Sequence, residues 1–453
     1  MLNRTARLTR NLTRNLTRNL LATAAFLATV AAPAAMAGTT WITIGDKALG
    51  LLQKTAPESR VLSSVQVEVT VPLMRGAPVL MRSTEGVHAV EVDEDALDGL
   101  SAALHTQLHK CSGYAQHSSM AEALATLQFL QRPAQPKATP SYAIDNTATV
   151  NTLLPQLQAS NILSTIEQLA SFQNRRHRST HGVAASNWLF NQWKTLGGTR
   201  RGVKVTQITH AGWPQKSVSF EITGDGGSSE VIVIGAHLDS TVSGITAATL
   251  ETARAPGADD DASGVATLSE LIRVMMVNNY KPSRTIRFVA YAAEEVGLLG
   301  SREVVATAKS QRAKVVGVMQ LDMTAYAGGG KDLWIYTDYT NAAQNQFLAN
   351  LAAAYLPELT VGYDACGYGC SDHASWHNAG YVASFPFEAS DNSYNFQLHT
   401  INDTTATFGN QAVHALKFAK LAMAYAVELG SDRVPVTLFP LTPGGPLVPN
   451  SSK

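Results

Sequence analysis

The chain has 453 residues, of which 45% are hydrophobic and 15% charged, a balance typical of a globular protein long enough for one large domain and a smaller one. Its 35 basic and 35 acidic residues cancel, so no basic field indicates nucleic acid as a partner. The first 37 residues hold five arginines and no acid, which leaves 30 basic against 35 acidic residues in the remainder and a mild negative charge.

Residues 1–37 have the pattern of a secretory signal peptide. An arginine-rich stretch at 4–18 precedes an apolar run at 20–32, and Ala35-Met36-Ala37 fits the small-residue rule for cleavage. The run is too short and too rich in alanine for a membrane anchor, and no other stretch reaches about 20 apolar residues. We therefore expect a secreted protein with no stable membrane anchor.

Residues 38–130 are predicted to form a small α+β region. The pattern indicates strands at Val61–Pro72 and Ala77–Val92, then helices at Asp95–Lys110 and Ser118–Leu130. In the first strand, Val65, Val67 and Val69 alternate with polar residues, which places three valines on one face. Residues 131–141 are rich in proline and polar side chains and are predicted to be a linker.

Helices and strands alternate over residues 142–430, which predicts an α/β domain whose mostly parallel central sheet is flanked by helices. The predicted strands cover residues 203–209, 217–222, 231–236, 285–291, 315–322, 333–336 and 383–387. The predicted helices cover residues 157–172, 182–196, 262–277, 342–354 and 410–429, with one more that begins at 297. Residues 431–453 hold several prolines and are predicted to be a C-terminal tail.

Acids or histidines stand at the ends of several predicted strands. His237 follows one apolar strand, Glu294 and Glu295 come just after another, and Asp322 closes a third. His399 follows an aromatic-rich segment further along the chain. Because ligands of open α/β sheets bind beyond the carboxyl ends of the strands, these side chains are candidates for one common site.

Three consecutive aspartates, Asp259 to Asp261, stand before the predicted helix at 262–277. One aspartate suffices as an N-cap, and three neighbouring carboxylates repel each other unless a cation lies among them. A set of carboxylates and imidazoles without a thiolate suits two zinc ions that share a bridging carboxylate, or manganese or cobalt in the same place. Such a pair activates a water and polarises a carbonyl, and one unligated acid must take the proton of that water.

Cys366 and Cys370 stand four positions apart, and Cys111 is the third cysteine. Finger-type zinc sites need four Cys or His ligands at short paired spacings, which this sequence lacks. In a secreted chain, the close pair is best interpreted as a disulfide.

Residues from about 142 to 430 resemble the secreted bacterial leucyl aminopeptidases of the M28 peptidase family. The matching segments are 235–240 (GAHLDS), 256–264 (PGADDDASG), 291–298 (YAAEEVGL), 320–324 (QLDMT), 366–377 (CGYGCSDHASWH) and 398–400 (LHT). These segments are long, stand in the family's order and span the whole domain. The resemblance implies a zinc-peptidase-like fold with two zinc ions.

The resemblance also implies roles for single residues. It assigns the ligands as one set: His237 and Asp322 on one zinc, Glu295 and His399 on the other, and Asp260 bridging both, with a cis peptide bond between Asp260 and Asp261. Asp239, two residues beyond His237 on the same strand face, would orient its imidazole. Glu294 would deprotonate the water and then protonate the leaving amine. Tyr368, between the two cysteines, would donate a hydrogen bond to the developing oxyanion.

An apolar pocket beside the zincs would take the first side chain of a peptide. The matching positions, some of which ordinary core packing explains equally well, are Met323, Tyr336, Cys366, Cys370, Phe385, Phe387, Tyr394 and Leu398. The resemblance implies release of N-terminal Leu and other large apolar residues by a monomeric enzyme. Asp391 departs from the family, which often has an aromatic residue there, so the depth of the pocket and a strict leucine preference stay open.

The region at 38–130 contributes nothing to the predicted metal set. Related secreted peptidases are made with an N-terminal pro-region, so the resemblance implies a zymogen whose pro-region is a folding aid or inhibitor removed at the linker. A permanent accessory domain is the alternative.

Two other classes of function are compatible with the sequence. One is a glutaminyl cyclase or carboxypeptidase of the same fold, and the other is a pseudoenzyme that binds without catalysis. A cyclase typically works with one zinc, a carboxypeptidase needs a cation for the substrate carboxylate, and a pseudoenzyme usually loses ligands. All five ligands and the base are present here. A serine hydrolase is disfavoured because the chain has no Gly-x-Ser-x-Gly segment.

Other histidines are weaker candidates. His373 and His377 would share a helix face, but Ala374 stands where the His-Glu-x-x-His helix of metalloproteases carries its base. We therefore predict a structural pair. Three further histidines lie in polar, arginine-bearing or loop contexts and are predicted to be on the surface, namely His177, His181 and His210.

Overall fold

The computed structural model describes residues 38–72, 80–108, 113–131 and 142–431. The predicted signal peptide, the linker beyond residue 131, the tail after residue 431 and Cys111 lie outside the described residues. None of the described helices is both long enough and apolar enough to cross a membrane.

The N-terminal domain, residues 38–131, combines one sheet with short helices. Its elements are β1 (Thr39–Gly45), α1 (Asp46–Thr55), β2 (Arg60–Pro72), β3 (Leu80–Asp93), α2 (Ala96–Ala103), β4 (Tyr114–His117) and α3 (Met120–Leu130). The strands pair antiparallel in the order β2-β3-β1-β4. On one face Val65 and Val67 of β2 pack with Leu127 of α3, while on the other Ile42 packs with Leu52 of α1. The predicted alternation of β2 therefore buries one of its faces.

The C-terminal domain, residues 142–431, alternates helices and strands. Its elements are α4 (Thr147–Leu153), α5 (Ala159–Ser171), α6 (Thr180–Gly197), β5 (Val203–Ile208), β6 (Ser217–Ile222), β7 (Glu230–His237), α7 (Ala262–Val277), β8 (Thr285–Tyr291), α8 (Leu299–Ser310), β9 (Lys314–Gln320), β10 (Leu333–Tyr336), α9 (Ala342–Tyr355), β11 (Val361–Asp364), α10 (His373–Asn378), β12 (Ala383–Phe387) and α11 (Val413–Ser431).

The strands of this domain form one eight-stranded sheet in the order β11-β10-β12-β9-β7-β8-β6-β5. Neighbouring strands are parallel from β12 through β9 and β7 to β8. Strand β6 runs antiparallel to β8, β5 runs antiparallel to β6, and β10 runs antiparallel to β12. The predicted parallel sheet flanked by helices is confirmed at the centre, and the antiparallel strands toward the edges make the whole sheet mixed.

Both faces of the central strands are covered. Ile232 and Ile234 of β7 point to one face, where they join a core cluster with residues of α7 and α11. Val233 points to the other face, where it packs with Val304 of α8 and Trp376 of α10. A strand buried on both faces needs apolar side chains at every position, which explains the unbroken apolar run of β7.

The two domains contact each other next to the ends of the central strands. The backbone N–H of Gln116 donates to the carbonyl of Gly297, 3.2 Å away, just beyond β8. A side chain on Gly297 would lie 2.7 Å from the nitrogen of Gln116, so the close approach requires glycine. The guanidinium of Arg302 on α8 also pairs with the carboxylate of Glu122 on α3. A hydrogen bond and an ion pair thus link the N-terminal domain to the segment that follows β8.

Candidate metal centre

Three adjacent parallel strands deliver the candidate ligands to one edge of the sheet. His237 is the last residue of β7, and β7 lies between β8 and β9. Glu294 and Glu295 follow the end of β8, and Asp322 follows the end of β9. All four side chains are buried. The strand ends therefore meet as the sequence predicted, because parallel neighbours end at the same edge.

Asp259, Asp260 and Asp261 make different contacts. Asp261 is the N-cap of α7, and its carboxylate accepts the backbone N–H groups of Gly264 at 2.8 Å and His237 at 2.9 Å. Asp259 accepts the N–H of Ala325 at 3.0 Å. Asp260 is the member of the triple whose carboxylate contacts imidazoles. Its peptide bond to Asp261 is cis.

The carboxylate of Asp260 lies between the two histidines. Its Oδ1 is 2.9 Å from Nε2 of His237, and its Oδ2 is 3.1 Å from Nε2 of His399. Nε2 of His237 is also 3.4 Å from Oδ1 of Asp322, and Nε2 of His399 is 2.7 Å from Oε2 of Glu295. One carboxylate thus touches two imidazole–carboxylate pairs, which is the arrangement needed by a bridging ligand.

The electrostatics of the cluster indicate a place for cations. Burial disfavours a protonated His237, but the carboxylates of Asp322 and Glu294 more than offset this and hold its pKa well above the usual value. Burial acts in the same direction on His399, and Glu295 with Asp260 nevertheless raises its pKa to about 10. Both imidazoles attract protons because several carboxylates converge on them. A divalent cation would supply the same positive charge.

The donor atoms fit metal ions by chemistry and by geometry. Nε2 of His237 and Oδ1 of Asp322 are buried and make no hydrogen bond among the described residues. His237, Asp260 and Glu295 each offer one atom, and these atoms lie within 4.8 Å of one another. A second such group combines His237 and Asp322 with Asp261, but the carboxylate of Asp261 already accepts several backbone N–H groups. Imidazole and carboxylate donors without thiolate suit zinc.

Glu294 lies in the same buried cluster, and both of its carboxylate oxygens lack hydrogen-bond partners among the described residues. Burial, together with the charges of Glu295 and Asp372, raises the pKa of Glu294 well above the usual value even though His237 opposes the shift. The proton affinity of this carboxylate is therefore set by its surroundings, as a general base requires.

Asp239 fixes the backbone of this acid pair. Its Oδ1 accepts the N–H of Glu294 at 3.0 Å, and its Oδ2 accepts that of Glu295 at 3.2 Å. Nδ1 of His237 lies 3.1 Å from the backbone oxygen of Asp239 and 3.7 Å from its carboxylate. Asp239 thus contacts His237 most closely through its backbone carbonyl and also through its carboxylate, which accepts the N–H groups of the two glutamates as well.

A pocket opens beside Asp322. Its walls combine aromatic side chains, the disulfide loop and two acids: Asp322, Met323, Tyr336, Cys366, Tyr368, Cys370, Phe385, Phe387, Asp391 and Tyr394. The predicted pocket residues therefore line one cavity, apart from Leu398, which packs in the same apolar cluster behind the wall. Cys366 and Cys370 form a disulfide, as predicted. Asp338 holds this loop by accepting the backbone N–H groups of three consecutive residues, Cys366, Gly367 and Tyr368.

Sequence analysis missed residues that hold the ligand loops in place. Arg175 is fully buried, and its guanidinium donates to the carbonyl oxygens of Leu238 at 2.8 Å and Gly257 at 2.9 Å. It thereby ties the loop after β7 to the loop before α7. The hydroxyl of Ser371 donates a hydrogen bond to Oδ2 of Asp322 at 2.6 Å.

A second buried carboxylate group supports the bridging aspartate. Asp403 accepts the backbone N–H groups of Asp259 and Asp260, each at 3.1 Å. Asn395 donates to Asp259 at 3.0 Å and to Asp403 at 3.2 Å. Glu388 belongs to the same group, since its carboxylate accepts the backbone N–H of Asn395 at 3.1 Å. It directly follows β12, so the rule that selected the other strand-end acids could have identified it. Asp403 lies in no element and carried no such signal.

The remaining histidines are partly as predicted. His373 stacks on Phe385 at 4.6 Å between ring centres, and His377 lies against Tyr339. Neither belongs to a group of potential metal ligands within the described part of the chain. The surface prediction for His177 and His210 is wrong, because both are buried against Trp213, the first edge-on and the second stacked.

Comparisons with known sequences point to one family. Residues 218–424 match the model of peptidase family M28. Leucine aminopeptidase 1 of Grosmannia clavigera is 35% identical over 291 residues, which cover 61% of this chain and 69% of that protein. Leucine aminopeptidase 1 of Paracoccidioides brasiliensis is 33% identical over 315 residues, which cover 65% of this chain and 78% of that protein.

Solved structures with the same fold come from Legionella pneumophila. The LapA aminopeptidase superposes with a TM-score of 0.72 and 27% identity, covering 87% of this chain and 99% of that chain. LapB superposes with a TM-score of 0.70 and 29% identity, covering 87% of this chain and 100% of that chain. The 87% of the chain that is covered in both superpositions is more than residues 142–431 alone could provide. The similarity therefore includes the N-terminal domain.

Proposed function

Because this chain belongs to peptidase family M28 and is a metal-dependent aminopeptidase, we propose that it removes Leu and other large apolar residues from the N-termini of peptides. In this proposal the reaction uses two zinc ions, and Glu294 is the general base. The observation that carries the proposal is the buried carboxylate of Asp260 between two imidazole–carboxylate pairs. The named relatives favour this activity over a glutaminyl cyclase, a carboxypeptidase or a binding pseudoenzyme.

In this proposal the five ligands divide into two sites. His237 and Asp322 would hold one ion, His399 and Glu295 would hold the other, and Asp260 would be shared between them. Zinc in such a pair lowers the pKa of a water molecule and polarises the substrate carbonyl.

Glu294 moves the proton. Its buried carboxylate stands beside the ligands, and Asp239 holds its backbone in place. Glu294 takes a proton from the attacking water and returns it to the leaving amine. Tyr368, on the disulfide loop at the edge of the pocket, donates a hydrogen bond to the oxyanion that develops on the carbonyl.

The pocket beside Asp322 would hold the first side chain of the peptide. Phe385, Phe387 and Met323 give it apolar walls, which favours an apolar first side chain. Burial of such a side chain contributes about 1.5–3 kcal/mol, which is enough to favour large apolar residues over Ala or Gly.

We further propose that the chain is exported as a monomeric zymogen. The arginine-rich and apolar pattern of residues 1–37 supports export. The contact of the N-terminal domain at Gly297, two residues beyond Glu295, supports a role of that domain as an inhibitor or folding aid. N-terminal sequencing of the secreted form tests this, since a start near Tyr142 supports removal and a start at Gly38 opposes it.

The activity itself is tested with matched peptides. The purified chain should release the first residue of Leu-Gly-Gly and leave N-acetyl-Leu-Gly-Gly intact, because the proposed site handles free N-termini. A chelator should abolish the release, and added zinc should restore it. Cleavage of the acetylated peptide, or sequential release from the C-terminus, would contradict the proposal.

A further inference from the structure

The pocket for the first side chain is not apolar throughout. Asp391 is in its lining together with aromatic and sulfur-containing side chains and the proposed ligand Asp322. Tyr336, also in the lining, is 2% exposed, and its hydroxyl makes no hydrogen bond among the described residues. A pocket built for Leu alone has no use for a carboxylate and an unsatisfied hydroxyl, because both lose hydration when an apolar side chain enters.

The backbone keeps Asp391 at this position. Its N–H donates to Oδ2 of Asp364 at 3.0 Å, and Asp364 is the last residue of β11. Strand β11 pairs with β10, which ends at Tyr336. Tyr336 stands opposite Asp364 in this strand pair, so Asp364 connects the backbone of Asp391 to the end of the strand that carries Tyr336.

The charges around Tyr336 agree with this placement. Burial raises the pKa of the Tyr336 hydroxyl well above its usual value, and the charge of Asp391 adds to the shift, followed by those of Asp364 and Asp338. A protonated hydroxyl among carboxylates gives this end of the pocket a negative potential, with oxygen atoms that can accept hydrogen bonds from a cation.

We propose that Asp391 sets the specificity of the pocket, so that it accepts first residues with a cation at the end of an aliphatic stem, Lys and Arg, in addition to Leu. The proposal rests on the proposed aminopeptidase function and on the same pocket. The methylenes of the stem would pack on Phe385 and Phe387. The ammonium or guanidinium would reach Asp391 and the Tyr336 hydroxyl.

Binding of a Lys side chain in this pocket depends on two opposing free energies, the cost of desolvating its ammonium group and the gain from pairing that group with Asp391. A Lys side chain that enters an apolar pocket loses the hydration of its charge, which disfavours it strongly against an uncharged side chain of the same length. A carboxylate and a hydroxyl at the end of the pocket replace that hydration, while the stem still buries its apolar surface. Norleucine has the same unbranched stem without the ammonium, so the ratio of Lys to norleucine isolates the charge.

The experiment measures kcat/KM for the p-nitroanilides of Leu, norleucine, Lys and Arg with the native chain, Asp391→Asn and Glu358→Gln. Glu358 is exposed and outside the pocket lining, so its variant removes one negative charge from the chain without touching the pocket. We expect the native ratio of Lys to norleucine to lie within about tenfold of one. Asp391→Asn should lower that ratio by about tenfold or more, and Glu358→Gln should leave it unchanged.

Two results would overturn the inference and leave the aminopeptidase function standing. One is a native enzyme that cleaves Leu and norleucine substrates but Lys about a thousandfold more slowly. The other is an unchanged ratio of Lys to norleucine in Asp391→Asn. If none of the four substrates is cleaved by the native chain, the proposed function fails and this inference fails with it.

Discussion

Asp403 bears on the reaction although it touches neither metal nor substrate in the proposed mechanism. Its two carboxylate oxygens each accept one backbone N–H, from Asp259 and from Asp260. These two hydrogen bonds fix the peptide group directly before the carboxylate of Asp260, the proposed bridging ligand. Partners that orient metal ligands in this way affect metal binding nearly as strongly as the ligands do.

Replacing Asp403 by Asn is expected to lower zinc affinity or kcat/KM by about 10- to 100-fold. The carboxylate has two oxygens that accept the two backbone N–H groups, whereas the amide has one oxygen and one NH₂ group, so one backbone N–H would face another donor. Zinc affinity is measured by competition with a chelator on the metal-stripped chain. Asn402→Ser changes the exposed neighbour and should leave the affinity as it was. Native affinity together with native activity in Asp403→Asn would contradict the positioning role.

At the scale of elements, the site depends on how closely helix α7 lies against strand β9. Gly264 is in the first turn of α7, and a side chain there would come within 2.2 Å of the carbonyl oxygen of Leu321. Leu321 directly precedes Asp322. The helix that begins at the aspartate triple therefore packs on the backbone of another ligand strand.

Gly264→Ala is expected to destabilise the C-terminal domain by about 1–3 kcal/mol, since the backbone of α7 or β9 must shift to admit the methyl group. Gly50→Ala is a matched control, because Gly50 is also helical, in α1, and a side chain there would meet nothing within 4 Å. That variant should be neutral or stabilising by up to about 1 kcal/mol. Thermal unfolding of both variants checks the difference, and equal Tm values would contradict the packing argument.

The sequence predicted elements well where one signal was strong. The boundaries of α7 and β8 agree with the structure to the residue, because long apolar runs and an N-cap define them. Strand β11 was missed because Gly362 and Asp364 leave it without the unbroken apolar run that marked β10, and α4 was missed because its seven residues have weak periodicity. In the N-terminal domain, β1, α1 and β4 were missed, since β1 runs directly into α1 without a polar turn.

The sequence identified some residues of the candidate site and gave no signal for others. The strand-end ligands stood out because a buried acid or histidine after an apolar run is unusual. Arg175 and Asp403 gave no such signal, because they act on backbone groups far away in sequence, and only the folded chain brings those groups together. The carboxylate of Asp239 was expected near His237 and lies 3.7 Å from its Nδ1, but its hydrogen bonds to the backbone of Glu294 and Glu295 were not predicted.

At the scale of the whole molecule, the N-terminal domain reaches the active-site edge of the sheet. Besides the hydrogen bond to Gly297, the pair of Glu122 and Arg302 joins α3 to α8. Burial raises the pKa of Glu122, but His117 and Arg302 more than offset this and hold it well below the usual value. A depressed pKa means that the pair stabilises the contact at neutral pH and that this contribution is lost as the pH falls below about 4.3.

Glu122→Gln is expected to loosen the contact between the domains at pH 7. Amide hydrogen exchange of residues 114–117 reports on it, because the N–H of Gln116 is bonded across the interface. Exchange there should be faster in Glu122→Gln than in the native chain. Glu68→Gln breaks the exposed pair with Arg82 in the same sheet and should have no effect. Equal exchange in all three chains would show that the ion pair does not hold the domains together.

The central claim is that two zinc ions and one unligated carboxylate carry out the reaction. Metal analysis of the native chain and of Glu294→Ala, paired with kcat on Leu-p-nitroanilide, tests it most directly. Both proteins should contain two zinc ions per chain. The kcat of Glu294→Ala should be lower by about 100- to 10,000-fold, because the variant lacks the proposed base. One zinc ion in the native chain, or full activity in Glu294→Ala, would contradict this mechanism.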